Sequence, residues 1–213
     1  MKTFQLLTES SLDIEFLTEE VGGKKQLFIE GIFAQAEKKN GNGRIYPRKV
    51  MESALDRYIN EYVSKNRAVG EIKHPEYPFP DPENASHRII ELRWDGNDVY
   101  GKALVLDTPK GQTVKGLIEG GYQWGISTRG LGTLKERNGY KEVQDDYLMT
   151  AHDLVDNPSG PDCYVNKLIE STRWSLNEST GVWIPVIDER ENNKINEQLF
   201  LEKLERFIKG QRK

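Results

Sequence analysis

Ser127 stands in the run Trp124-Gly125-Ile126-Ser127-Thr128-Arg129-Gly130-Leu131-Gly132, where glycines on both sides let backbone or substrate approach closely. A serine becomes a nucleophile only with a base to take its proton, a group to orient that base, and donors for the developing oxyanion. His74 precedes Pro75 at the end of a short strand-like stretch, where an imidazole can be held at a cleft edge. Asp153 interrupts the mostly apolar run 148–155, where a carboxylate needs a partner. Arg129 adds a positive charge two residues beyond the serine. Each of these also has a plainer reading. Most Gly-x-Ser-x-x-Gly serines are turn residues, a lone His-Pro is usually a surface loop, and an acid in a strand often sits at an edge.

Other chemistries are poorly provided for. The histidines are His74, His87 and His152, and the single cysteine is Cys163. They form no CxxC or HExxH spacing, so no metal and no cofactor is expected. One cysteine also precludes an internal disulfide. Gly41-x-Gly43 lacks the third glycine of a dinucleotide fingerprint, and no Gly-Lys-Ser/Thr is present, so this stretch reads as a surface turn. A net charge of −4 argues against a generic nucleic-acid polycation, and no specific nucleic-acid partner is expected. No apolar run is long enough to span a bilayer, and residues 1–20 hold no cleavable apolar segment, so neither a span nor a secretory leader is expected. With 213 residues, 36% hydrophobic and 30% charged, the chain reads as one globular domain with tails.

The elements that would have to position these side chains follow from punctuation and periodicity. Residues 1–25 mix acids and hydroxyls with scattered apolar residues and read as a tail. A strand is expected over 27–34, with Gly31 as a bulge or a close approach. Asn40-Gly41-Asn42-Gly43 is a loop, and Pro47 begins a helix over about 48–64, packed through Val50, Ala54, Tyr58 and Tyr62 with Met51, Leu55, Ile59 and Val63 beside them. A short strand over 68–72 leads into His74. The four prolines of 75–86 require a loop. A hairpin turns at 95–98, a helix runs from Pro109 to Gly120-Gly121, and a strand covers 123–128. A second hairpin turns at Asn138-Gly139, and a strand covers 148–155. A last strand pair flanks Gly181, and Asp188 with Glu191 opens a C-terminal amphipathic helix carrying Ile195, Leu199, Leu204 and Ile208.

Six collinear blocks resemble one known family. They are FIEGIFAQAE (28–37), NGRIYPRKVME (42–52), VGEIKHP (69–75), WDGNDVYGKALV (94–105), GISTRGLGTL (125–134) and HDLVDNPSGPD (152–162). Together they are similar to the prohead core proteases of T4-like phages. The likeness covers about residues 28–162 and says little of 1–25 or 175–213.

The resemblance implies an α+β fold, a small mainly antiparallel β-barrel surrounded by helices and similar to the herpesvirus assembly proteases. It implies a serine endopeptidase that cuts scaffold or core proteins, the major capsid precursor and itself, inside a phage prohead in the host cytoplasm. It further implies cleavage after glutamate with an aliphatic residue two positions before it, and a homo-oligomeric, zymogen-like enzyme. On this pattern His74 is the base, Ser127 the nucleophile and Asp153 the third member, with His152 as runner-up. Backbone N–H groups near Arg129 and Gly130 are expected to stabilise the oxyanion and bind substrate, helped by the Arg129 side chain. Arg44, Arg48 and Lys73 are the candidate cations for a glutamate pocket. The expected organisation is a tail or propeptide over 1–25, a protease domain over 26–187, and a helix and tail over 188–213. The family pattern has a second serine where this chain has Thr128. Two rival readings remain: an inactive capsid-assembly or scaffold-binding protein on the same fold, and an α/β-hydrolase. The latter requires histidine last in chain order, whereas here it comes first.

Overall fold

Antiparallel pairing of short, turn-bounded strands dominates the computed structural model, which describes residues 4–11, 14–21, 24–75, 77–156, 173–178 and 180–186. The strands are β1 (Phe4–Ser11), β2 (Ile14–Val21), β3 (Lys24–Gln35), β4 (Arg44–Ile45), β5 (Val69–Gly70), β6 (His87–Asp95) and β7 (Asp98–Val105). They continue as β8 (Gly125–Gly132), β9 (Leu134–Arg137), β10 (Tyr140–Val143), β11 (Leu148–Val155), β12 (Arg173–Asn177) and β13 (Val182–Val186). One five-stranded sheet has the order β11-β8-β1-β12-β13 and a second the order β2-β3-β7-β6-β5, while β4-β10-β9 form a small third sheet.

The two large sheets share one core. Leu7, Ile126 and Leu154 of the first meet Ile29, Phe33, Ile89 and Ala103 of the second. Space is tight: a Cβ at Gly101 would lie 2.5 Å from the Phe33 ring. The sheets are also stitched along one side. Chain leaving β5 runs parallel to the end of β11 through an Ile72–Leu154 bridge, with Leu154 N–H donating to Glu71 O (2.9 Å) and Lys73 N–H to Leu154 O (2.7 Å). The result is a mainly antiparallel half-barrel.

Helices are few among the described residues. Helix α1 (Arg48–Tyr58) begins just after Pro47 and runs on into a π turn over Ile59–Val63. It lies against β11 and buries Met51, Ala54, Leu55 and Tyr58, while Val50 and Tyr62 are only partly buried. The apolar stripe is therefore rotated slightly from the expected one. Helix α2 (Pro109–Glu119) is capped by the Thr108 hydroxyl, which accepts from Gly111 N–H, and it packs near β7. No helix among the described residues is long and apolar enough to cross a membrane.

Two expectations need correction. Residues 4–11 and 14–21 are not a tail. β1 is an interior strand paired with β8 from Gln5 to Ser11 and with β12 at Phe4 and Gln5, and both Leu6 and Leu7 are fully buried, on opposite faces. The segment read as a tail thus contributes β1 and β2 to the two large sheets. The bulge in β3 falls at Phe33, between Ile32 and Ala34, while Gly31 pairs with Gly101. β11 carries a second bulge: Met149 pairs with Gly130 and Ala151 with Arg129, leaving Thr150 between them. The expected C-terminal helix over 188–213 lies outside the described residues.

Candidate active site

Three separate elements deliver three side chains to one place. Ser127 lies on β8, an interior strand, and Asp153 is its cross-strand partner on β11. Side chains directly opposite in an antiparallel pair share a face, so the hydroxyl and the carboxylate rise on the same side of the sheet. The parallel bridge at Ile72 carries the chain past Asp153, and Lys73 then takes a left-handed φ of 65° that turns it. His74 follows and sits over the pair. Its Nδ1 lies 2.8 Å from Asp153 Oδ2, and its Nε2 lies 2.7 Å from Ser127 Oγ. An ionised Asp153 can only accept, which puts the imidazole proton on Nδ1 and leaves Nε2 to accept from the Ser127 hydroxyl.

Asp153 is fully buried yet stays ionised. Burial alone would push its pKa up, but the Arg129 charge, the hydrogen bond from His74 and the Glu71 N–H together hold it below the usual carboxylate range. Oδ1 accepts from Glu71 N–H (3.0 Å) and from an Arg129 terminal nitrogen (3.1 Å). Arg129 Nε is 2.8 Å from Oδ2, although its N–H is not aimed for a hydrogen bond.

Arg129 does not face a substrate, which corrects the expectation drawn for it. Its side chain is 0% exposed. One terminal nitrogen donates to Glu71 Oε2 (2.7 Å) as well as Asp153, and the other to the Tyr77 carbonyl (2.7 Å) and the Phe79 carbonyl (3.3 Å). The guanidinium therefore braces the acid and the loop after His74. Gly130 sits in a crowded part of the sheet. A Cβ there would lie 2.5 Å from the Tyr147 ring and 2.6 Å from Leu148 O, so the glycine permits close packing beneath Tyr147.

His152 neighbours Asp153 but points to the opposite face. Its ring lies against Phe33 and Tyr58, and neither ring nitrogen has a hydrogen-bond partner among the described residues. Burial drives its pKa down to about 3, against the raising influence of the Asp153 charge. His87 is similarly buried and lowered to about 4, with its Nε2 donating to His152 O (3.0 Å) and its Nδ1 accepting from the Ser86 hydroxyl (2.9 Å). Neither is oriented toward Ser127. No cluster of metal-ligating side chains occurs among the described residues.

The three candidate cations separate clearly. Arg44 is buried, 3.4 Å from Thr8 O. Arg48 pairs with Glu52 (2.7 Å) and stacks over Trp94 at 3.5 Å. Lys73 adjoins His74 with an exposed ammonium group, 3.7 Å from Asp156. Among its described residues the expected loop over 75–86 contains no strand, only a short 3-10 turn at Pro82–Asn84. It is half tethered: Pro78 is buried and Tyr77 stacks edge-on against Trp174, while 81–84 are exposed. Sequence reading missed Glu71 altogether. The available signal was a carboxylate inside the Val69–Ile72 stretch, a second acid needing a partner.

The chain is similar to known proteins over most of its length. The sequence profile of the family described as prohead core protein serine protease matches residues 7–173. The prohead core protein protease of Enterobacteria phage T4 is 43% identical over 150 residues, which is 68% of this chain and 71% of the relative. The solved structure of the bacteriophage T4 capsid assembly protease superposes with a TM-score of 0.69 at 37% identity, covering 72% of this chain and 99% of that one.

Proposed function

The chain belongs to the prohead core protein serine protease family, and from that premise we propose that it is a serine endopeptidase in which Ser127 is the nucleophile, His74 the general base and Asp153 its partner. The observation that carries this reading is the continuous hydrogen-bonded line from Ser127 Oγ through both imidazole nitrogens to Asp153. His74 Nε2 takes the hydroxyl proton as Oγ attacks the scissile carbonyl, and the acyl-enzyme forms as the leaving amine takes that proton back. Water then repeats the cycle in reverse roles. Asp153 fixes the tautomer and stabilises the imidazolium without itself becoming protonated.

The names of its relatives point to the setting: a prohead core and capsid assembly. The proposed substrates are core or scaffold proteins, the major capsid precursor and the enzyme itself, cut inside the prohead within the host cytoplasm by a homo-oligomeric enzyme. Cleavage after glutamate is part of the same proposal, and Lys73 is the cation best placed to meet that side chain beside His74. Ser127 has no exposed surface. A scissile carbonyl reaches Oγ only after a local opening, which suits a latent enzyme that becomes active after enclosure.

The test is incubation of the full chain with a core or capsid precursor, followed by intact mass measurement. Wild type is expected to yield fragments ending in glutamate and Ser127→Ala none. Equal products from both proteins would remove the protease assignment to Ser127, and no products from either after activation inside assembled proheads would favour the scaffold-binding alternative.

A further inference from the structure

We propose that Glu71 is a positioning residue that keeps the charge behind His74 at a net minus one, working through Arg129. The inference rests on the reading of Ser127, His74 and Asp153 just given. In a serine triad the acid supports the base by presenting one uncompensated negative charge to the imidazolium. Here Asp153 shares its site with a guanidinium, and an isolated Arg129–Asp153 pair would be electrically neutral. Glu71, 2.7 Å from the same guanidinium, restores the missing charge. All three groups are almost wholly buried, so salt and water screen them weakly.

The same residue also fixes geometry. Glu71 N–H donates to Asp153 Oδ1 (3.0 Å), and Glu71 Oε1 accepts from Asp81 N–H (3.1 Å). Arg129 holds the Tyr77 and Phe79 carbonyls. The loop after His74 is thereby closed at both ends by the groups that set the charge. Burial raises the Glu71 pKa, opposed by the Arg129 charge and the Asp81 N–H, while the Asp153 charge raises it further. Arg129 and Asp153 are the charged groups facing Glu71. Asp153 in turn faces Arg129 and His74, and its field reaches the buried His87, His152 and Tyr58, while the exposed Lys73 adjoins His74.

The experiment is an NMR titration of the His74 ring protons in the full chain. With three histidines the assignment is direct, by loss of the signal in His74→Ala. In Glu71→Gln the midpoint is expected to fall by about one pH unit, a tenfold loss of proton affinity, because removing a nearby negative charge disfavours the imidazolium. In the double variant Glu71→Gln with Arg129→Met both charges go, Asp153 alone supplies the minus one, and the midpoint returns to within a few tenths of wild type. A purely structural role for Glu71 predicts no such return. An unshifted midpoint in Glu71→Gln, or a double variant that stays shifted with it, overturns the proposal. If Glu71→Gln lacks a cooperative unfolding transition, Arg129→Met beside the double variant decides: with both carboxylates left the single variant's midpoint is expected to rise by about one pH unit and the double variant's to return, and an unshifted Arg129→Met overturns the proposal. Labelling by a small fluorophosphonate, lost in Ser127→Ala, tests the triad separately. Labelling that survived that substitution would remove the triad while leaving the charge measurement standing.

Discussion

Ser127 and Asp153 are direct cross-strand partners in the β8–β11 ladder, and His74 bridges them from a third segment of chain. The two groups furthest apart in the proton relay are thus held by the stiffest part of the fold. Only the base arrives on a turn, where the bridge at Ile72 and the tether at Tyr77 bracket it.

Asp153→Asn should therefore keep the fold and lose the tautomer. A loss of roughly 10³–10⁴-fold in cleavage rate is expected, as for other triads deprived of their acid. His152→Leu, on the far face, should cleave at close to the wild-type rate. The measurement is initial rate on a precursor substrate at fixed pH, and a large loss in His152→Leu with none in Asp153→Asn would reverse the assignment of the third member.

Stability should fall in mild acid. His152 and His87 are held neutral in the folded protein, with pKa values lowered to about 3 and about 4. In the unfolded chain they protonate near 6.5, so the folded state loses ground as pH drops through 6.5, continuing to about 4 for His87 and about 3 for His152. Asp153 adds a further loss below its unfolded value, because its folded pKa is depressed. Thermal midpoints recorded between pH 8 and 4 should decline, and His152→Leu should decline less steeply. A variant as acid-sensitive as wild type would show that His152 is not a source.

Gly70→Ala should be strongly destabilising although it deletes nothing. The new Cβ would lie 2.0 Å from His152 O and 2.4 Å from the His87 ring, one contact being backbone that cannot swing away. Overpacking of this kind costs typically about 1–3 kcal/mol, and more where the neighbour is fixed. Urea unfolding gives the value, and a change below about 0.5 kcal/mol would mean that β5 and β11 can separate without loss.

β1 changes where self-cleavage should occur. Glu9 and Glu19 each follow an aliphatic residue two positions earlier, yet both lie within ladders. A strand must leave its sheet before it can enter an active site. Glu197 follows the same pattern and lies outside the described residues. Mass loss in active protein should first report a new end after Glu197, with Ser127→Ala unchanged. Leu7→Ala, which opens the shared core, should cost about 2–5 kcal/mol and advance cleavage after Glu9. Earliest cleavage after Glu9 in wild type would contradict this order.

Much of this architecture could be read from residues alone where local signals were strong. The strand over 148–155, both hairpins and the Pro47-led helix stand as expected, because turn chemistry and periodicity act within a few residues. β1 was hidden because an interior strand buries both faces, so Leu6-Leu7 shows no alternation, and its flanking Thr, Glu and Ser resemble a polar tail. The convergence of His74, Ser127 and Asp153 was suggested by residue type and family likeness. The role of Arg129 was not, since its four partners are Glu71, Tyr77, Phe79 and Asp153, separated by up to 82 positions. Only the folded chain brings those charges together.

The bulge at Thr150 works as a frameshift written in space. Counting back from the Met149–Gly130 pair without it, position 150 would face Arg129, position 151 Thr128 and position 152 Ser127. The same chain paired without the bulge would offer the serine an imidazole from β11, and the carboxylate would turn to the greasy side. A single supernumerary residue thus chooses between an acid and a second base as the third partner, without altering any residue of the site itself.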